Sequence, residues 1–108
     1  MNLHTNSPAP EILDFIREAI QPNFFDLDGE SQHHMMQVMA CFVPDVGFRV
    51  DNREQAEDLA YGLDCCARWC RDCAHDCERE DVDPSYDLML EQSFEDQARQ
   101  VRALASGL

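Results

Sequence analysis

The feature that most constrains the fold of this chain is a long amphipathic pattern over residues 53–79. Asp51 and Asn52 precede it, and both are residue types that cap helix N-termini. Glu54 and Gln55 follow them at a distance of three residues, so a capping box is expected in either register. Apolar residues then recur at helical spacing. We therefore predict one long helix that buries one face against the rest of the chain.

Shorter helical patterns lie on either side of this helix. A first helix is predicted from Glu11 to Pro22, because one proline stands just before it and another is expected to end it. A loop over residues 81–85 leads into a last helix over residues 85–105, whose apolar stripe begins with a tyrosine. Residues 1–9 are polar and contain proline, and they are expected to be flexible.

The stretch before the long helix allows two interpretations. Pro44 to Gly47 has turn chemistry between two short apolar runs, which favours a β-hairpin over residues 39–50. A helix over residues 31–43 is the alternative. The predicted fold is a small single domain over residues 1–108. It is mainly α, with α+β as the alternative if the hairpin forms.

The charge of the chain is strongly one-sided. Asp and Glu total 22 against 8 basic residues, all of them arginine, and the formal net charge is −14. Direct binding to nucleic acid or to an anionic membrane is not expected, because phosphate binding depends on Lys and Arg. The expected partner is a basic protein surface; the alternative is that the acidity only keeps the protein in solution. The oligomeric state is left open.

Other sequence signals bear on compartment and chemistry. No segment reaches the roughly 18 apolar residues of a membrane span. The first ten residues have neither the basic residues nor the apolar run of a secretory signal, so a cytoplasmic location with reduced cysteines is expected. The 4 glycines form no phosphate loop or dinucleotide fingerprint, and no serine lies in a nucleophile elbow. A non-enzymatic protein without a cofactor is therefore expected.

Acidic residues form rows on the first and last helices. Every charged residue between positions 80 and 98 is acidic, and Asp87, Glu91 and Glu95 share one helix face at steps of about 6 Å. Such rows can imitate a phosphate backbone and occupy the basic groove of a nucleic-acid-handling protein, as inhibitors of the anti-defence or immunity type do. A solvated face is the alternative. The predicted partner-binding residues are Asp83, Asp87, Glu91, Glu95 and Asp96 on the last helix and Glu11, Asp14 and Glu18 on the first.

The cysteines form a second candidate site on the long helix. Cys66, Cys70, Cys73 and Cys77 lie within about 60° of one another and continue its apolar face. A row of thiolates roughly 16 Å long could bind Cu(I) between neighbouring pairs, because thiolates select this soft ion. The alternative is that they pack in the core as small apolar side chains.

Further soft ligands precede the long helix. His33 and His34 are followed by two methionines, and Cys41 lies nearby in sequence. Zinc needs four ligands around one point, so two helix cysteines would have to meet two of these three residues. Methionines at this spacing more often fill gaps in a core.

One family resemblance supports the metal-binding alternative. Residues 66–77 read CARWCRDCAHDC. This run resembles the Cys-x3-Cys-x2-Cys-x3-Cys helices of the cysteine-rich four-helix-bundle copper-storage proteins, in which several helices carry such rows and the bundle interior holds Cu(I). The resemblance covers one helix and implies Cu(I) ligation by its four cysteines. The other helices here carry leucine, phenylalanine and isoleucine instead of cysteine.

Overall fold

Four helices and three short strands make up residues 3–108, the part of the chain that the computed structural model describes. The fold is mainly α with a small sheet, as predicted. Helix α1 is continuous through Glu11–Phe15, Ile16–Ile20 and Gln21–Asn23, and a 3-10 turn, Phe24–Asp26, follows it. The other elements are α2 (Gly29–Cys41), α3 (Arg53–Arg79), α4 (Ser85–Ala105), β1 (Leu3–His4), β2 (Phe42–Val43) and β3 (Gly47–Val50).

Helix α3 has the bounds that its sequence predicts. Of the two candidate caps the structure uses Asn52, whose side chain accepts a hydrogen bond from Gln55 N at 2.8 Å. Gln55 Oε1 in turn accepts from Asp51 N at 2.9 Å, so the first turn is capped in both directions. At the other end Asp81 adopts a left-handed conformation with φ 57°. The helix stops there because a left-handed residue cannot continue it.

Helix α1 continues past Pro22, although the sequence predicted that it would end there. Pro22 has no N–H, and its ring crowds the carbonyl of Glu18 four residues earlier. The turn just before it, Ile16–Ile20, is a wider π turn, which relieves that crowding. The helix continues for one residue past the proline, to Asn23.

The ambiguous stretch contains both a helix and a hairpin. Helix α2 continues to Cys41, so the hairpin begins at Phe42, three residues later than predicted. Its turn places Asp45 at φ 66°, and β2 pairs antiparallel with β3. Strand β1 pairs antiparallel with the other edge of β3, which gives the sheet order β1-β3-β2.

The N-terminal segment is held against the core, where a flexible segment was predicted. Thr5 is 2% exposed; its N–H donates to Phe48 O at 3.0 Å, and its hydroxyl accepts from Phe48 N at 2.9 Å. The same hydroxyl donates to Gln97 of α4, and Gln97 Nε2 donates to Asn6 O at 3.0 Å. These contacts hold Thr5 and Asn6 against β3 and α4, while Met1 and Asn2 lie outside the described residues.

The core lies between α3 and α4, which form an antiparallel pair closed by α1, α2 and the sheet. Phe15 of α1 contacts both of the long helices, with ring centroids 5.4 Å from Trp69 and 5.1 Å from Phe94 in edge-on arrangements. The long pair gives the molecule extents of 47 × 27 × 21 Å. Within residues 3–108 no helix combines the length and the apolar character needed to cross a bilayer.

Candidate functional site

The acid row on α4 faces a cation from the neighbouring helix. Arg71 of α3 donates through Nε to Glu91 Oε2 at 2.5 Å and through Nη2 to Glu95 Oε1 at 3.2 Å. The Glu91 side chain is only 15% exposed, so its carboxylate lies between the helices. These carboxylates raise the pKa of Arg71, mainly through the hydrogen bond that Arg71 donates to Glu91. Two of the three carboxylates in the predicted phosphate-mimicking row thus share one cation within the fold, which offsets one of their two charges.

The remaining predicted acids of α4 also have partners. Asp96 pairs with Arg99 one turn later. Asp83 Oδ1 accepts from Ser85 Oγ at 2.6 Å and from Ser85 N at 3.0 Å, and these bonds lower the pKa of Asp83. Asp87 is half-buried and accepts from the Cys77 thiol at 3.5 Å.

The prediction of an uncompensated acid row on α4 is therefore wrong for Glu91 and Glu95, whereas Asp87 meets a neutral thiol and, within residues 3–108, no cation. Although residues 80–98 contain no base, Arg71 reaches the row from twenty residues away in sequence.

The acids of α1 have a different environment. Ile12, Phe15 and other apolar residues of this helix are buried. Asp14 and Glu18 are exposed and Glu11 is half-exposed. Within residues 3–108, no basic side chain lies within ion-pair distance of these three carboxylates. Within the described part of the chain, these three acids share the lack of a cationic partner with Asp83 and Asp87, whose hydrogen-bond donors are neutral.

Tyr86 joins the α1 acids to the beginning of α4. This residue is 51% exposed, although the sequence places it on the apolar stripe. The pKa of Tyr86 is raised by partial burial and by the negative charges of Asp14, Glu11, Glu18 and Asp87. The two helices therefore share one acidic surface, here called the Tyr86 surface. It comprises Glu11, Asp14, Glu18, Tyr86 and Asp87.

The cysteine row is only partly inside the core. Cys66 and Cys70 are buried, as the predicted seam requires. Beyond them Ala74 occupies the buried position, while Cys73 and Cys77 are half-exposed beside it. All six cysteines are free thiols.

The environment of these sulfurs favours thiols over thiolates. Burial raises the pKa of Cys66 well above its usual value, and its Sγ lies 3.7 Å from Met35 Sδ. Burial and the charge of Asp87 raise the pKa of Cys70 to about 12. The pKa of Cys73 and that of Cys77 are also raised, again by desolvation first. Because the thiolate is the form that binds metal, ligation here requires costly deprotonation.

The thiols are not gathered around one point. In residues 3–108 one set of three or more His, Cys, Asp or Glu ligand atoms lies within a mutual distance of 4.8 Å, and it consists of His33, His34 and Asp58. It contains no cysteine. The predicted combination of helix cysteines with Cys41, His33 or His34 is therefore not assembled in this arrangement.

Sequence reasoning missed Arg71, Tyr86 and Asp58 as members of these clusters. Arg71 was visible only as a cation on the long helix, and its position on the face toward α4 depends on how the two helices pack. Asp58 offered no signal, because its partners lie on α2, about 25 residues earlier. The exposure of Tyr86 depends on where α1 crosses α4.

Comparisons with protein-family models, curated proteins and solved structures find no match for this chain.

Proposed function

We propose that this protein is a non-enzymatic binding protein that docks its Tyr86 surface on a basic protein surface, and that the partner handles nucleic acid. The single observation that carries the proposal is that the α1 carboxylates have no ion-pair partner within residues 3–108 and lie beside a half-exposed aromatic ring. The acid row of α4, in contrast, serves the fold through Arg71.

The chemistry of this surface suits an interface. Tyrosine is enriched among residues that dominate binding energy, since it buries a large area with few rotatable bonds. Among residues 3–108, the α1 carboxylates of this surface have no cation that they must release before they meet one on a partner. With a net charge of −14, the chain also attracts basic proteins over distances comparable to the Debye length.

The positive charge of nucleic-acid-binding proteins makes them the favoured class of partner. Proteins that bind the phosphate backbone present clustered Lys and Arg in grooves, and they offer the complement of this surface. Occupation of such a groove by carboxylates would exclude nucleic acid and inhibit the partner. Thiolate binding of Cu(I) is the competing proposal, and the buried, protonated state of Cys66 and Cys70 gives it less support.

The test compares two triple variants with the same change in charge. Glu11→Gln, Asp14→Asn and Glu18→Gln together neutralise the α1 acids. Asp45→Asn, Glu57→Gln and Glu78→Gln together neutralise exposed acids elsewhere.

Each protein is immobilised and used to capture partners from a lysate of the source cells, with mass-spectrometric identification. The captured partner is then titrated with purified protein at increasing salt and in the presence of duplex DNA.

We expect wild type and the control variant to bind the partner with an on-rate that falls with salt, and DNA to compete with both. The α1 variant should bind at least tenfold more weakly and with a shallower salt dependence. Equal binding by the α1 variant and wild type would refute the proposal that the Tyr86 surface contacts the partner. Absence of competition by DNA would refute the proposal that the protein occupies the nucleic-acid-binding groove of its partner.

A further inference from the structure

We propose that His33, His34 and Asp58 form a binding site for a first-row divalent transition-metal ion, with zinc as the best fit. The site lies between α2 and α3. Its ligand atoms all lie within 4.8 Å of one another, and His33 Nε2 is 3.2 Å from Asp58 Oδ2. Two ligands bonded to a tetrahedral zinc ion at about 2.0–2.1 Å are about 3.3–3.4 Å apart. One edge of the coordination tetrahedron therefore already has the required length.

His34 supplies an independent indication of a missing ligand. Its side chain is 13% exposed, and its ring packs against Tyr61 with centroids 4.4 Å apart. Nδ1 of His34 is buried and has no hydrogen-bond partner among residues 3–108, while Nε2 lies 4.0 Å from Glu30 Oε1. A buried polar atom without a partner is costly in a folded protein. Coordination through this buried nitrogen would fix the tautomer of the ring and give the atom a partner.

A close approach of the two helices builds the site. A Cβ at Gly62 of α3 would lie 2.8 Å from His34 O and 2.9 Å from Val38 Cγ2, so only glycine allows this distance. Asp58 lies one turn before Gly62 on α3, which brings its carboxylate beside the two histidines. The histidines belong to one helix and the carboxylate to another, so a bound ion would link α2 to α3.

The ligand set determines the class of metal. Imidazole and carboxylate suit zinc, nickel and copper(II), whereas calcium and magnesium prefer oxygen alone. Glu30, one turn before His34 and 80% exposed, can swing inward as a fourth ligand, and water can fill the same position. No thiol belongs to the set, so this site is separate from the cysteine row. It also shares no residue with the Tyr86 surface and is independent of the proposed function.

The test is an isothermal calorimetric titration of the reduced, chelator-treated chain with zinc chloride. Cobalt(II) is titrated in parallel, because thiolate ligation adds a sulfur-to-cobalt charge-transfer absorption that nitrogen and oxygen ligands lack. The test variants are His33→Asn and Asp58→Asn, whose side chains are partly exposed and removable without a core cavity. The matched controls are His75→Asn and Asp45→Asn, both at exposed positions.

We expect one zinc ion per chain, a cobalt spectrum without thiolate absorption, and a rise in melting temperature on zinc addition. Each test variant should lose at least tenfold in affinity and most of the thermal shift, while each control matches wild type. Failure of the wild type to bind zinc would overturn the proposal. So would thiolate absorption with cobalt, or equal affinity in wild type, His33→Asn and Asp58→Asn.

Discussion

At the scale of single residues, Gln97 is a buried polar side chain that joins the N-terminal segment to α4. It is 3% exposed, accepts a hydrogen bond from the Thr5 hydroxyl and donates to Asn6 O at 3.0 Å. Through Thr5 the same network reaches the backbone of Phe48 in β3. A buried network of this kind is stable only while every member has its partner.

We predict that Gln97→Leu lowers the free energy of unfolding by about 1–3 kcal/mol, because a buried hydroxyl and a carbonyl lose their partner. Urea denaturation followed by circular dichroism measures the change. Gln92→Leu, at an exposed position on the same helix, should change stability by less than about 0.5 kcal/mol. Similar losses for both variants would mean that the network does not hold the N-terminal segment.

At the scale of elements, the pairing of α3 with α4 explains why the α4 acids are tolerated. Glu91 and Glu95 are like charges four residues apart, which destabilises an isolated helix. Arg71 pairs with both from the facing helix and offsets one of their two charges. A second cross-helix pair, Arg102 with Asp64, lies farther along the same interface.

We predict a favourable coupling between Arg71 and Glu91 in a double-mutant cycle of Arg71→Gln and Glu91→Gln, measured by urea denaturation. The carboxylate is largely buried, so solvent screens this pair less than a surface pair. A cycle on Arg79 and Asp76, both well exposed on one helix, should give a smaller coupling. A coupling at Arg71 no larger than this control would contradict the assignment.

At the scale of the whole molecule, the protonated thiols tie the stability of the fold to alkaline pH. The pKa values of Cys41, Cys66 and Cys70 are raised in the folded state, chiefly by burial. The unfolded chain therefore loses these protons at lower pH than the folded chain. Stability that is fully present below the ordinary thiol pKa is then lost as pH rises toward the folded-state values.

We predict that the free energy of unfolding falls between pH 8.5 and pH 10, by up to about 1.4 kcal/mol per pH unit for each buried thiol. The chain contains no lysine, so few other side chains titrate in this range. Urea denaturation under reducing conditions at several pH values measures the slope. Cys70→Ala should give a shallower slope than wild type; a stability independent of pH up to 10 would contradict the burial of these thiols.

The sequence alone determined the features that depend on local interactions. The bounds of α3 and α4 follow from periodicity, from Asn52 as a cap and from the loop after Arg79, and the structure confirms them. The burial of Cys66 and Cys70 follows from their position on the apolar face of α3. These predictions succeed because capping and amphipathic spacing operate within a few residues. The resemblance to copper-storage helices stays a prediction.

Only the tertiary structure decided which charged side chains form ion pairs and which metal-ligating side chains lie close together. The α4 row appeared uncompensated because Arg71 lies in another helix, and the N-terminal segment appeared flexible because its partners, Phe48 and Gln97, are distant in sequence. The meeting of His33 with Asp58 depends on the close helix approach at Gly62. Hydrogen bonds and ion pairs act over a few ångströms in space, so sequence spacing predicts them only inside one element.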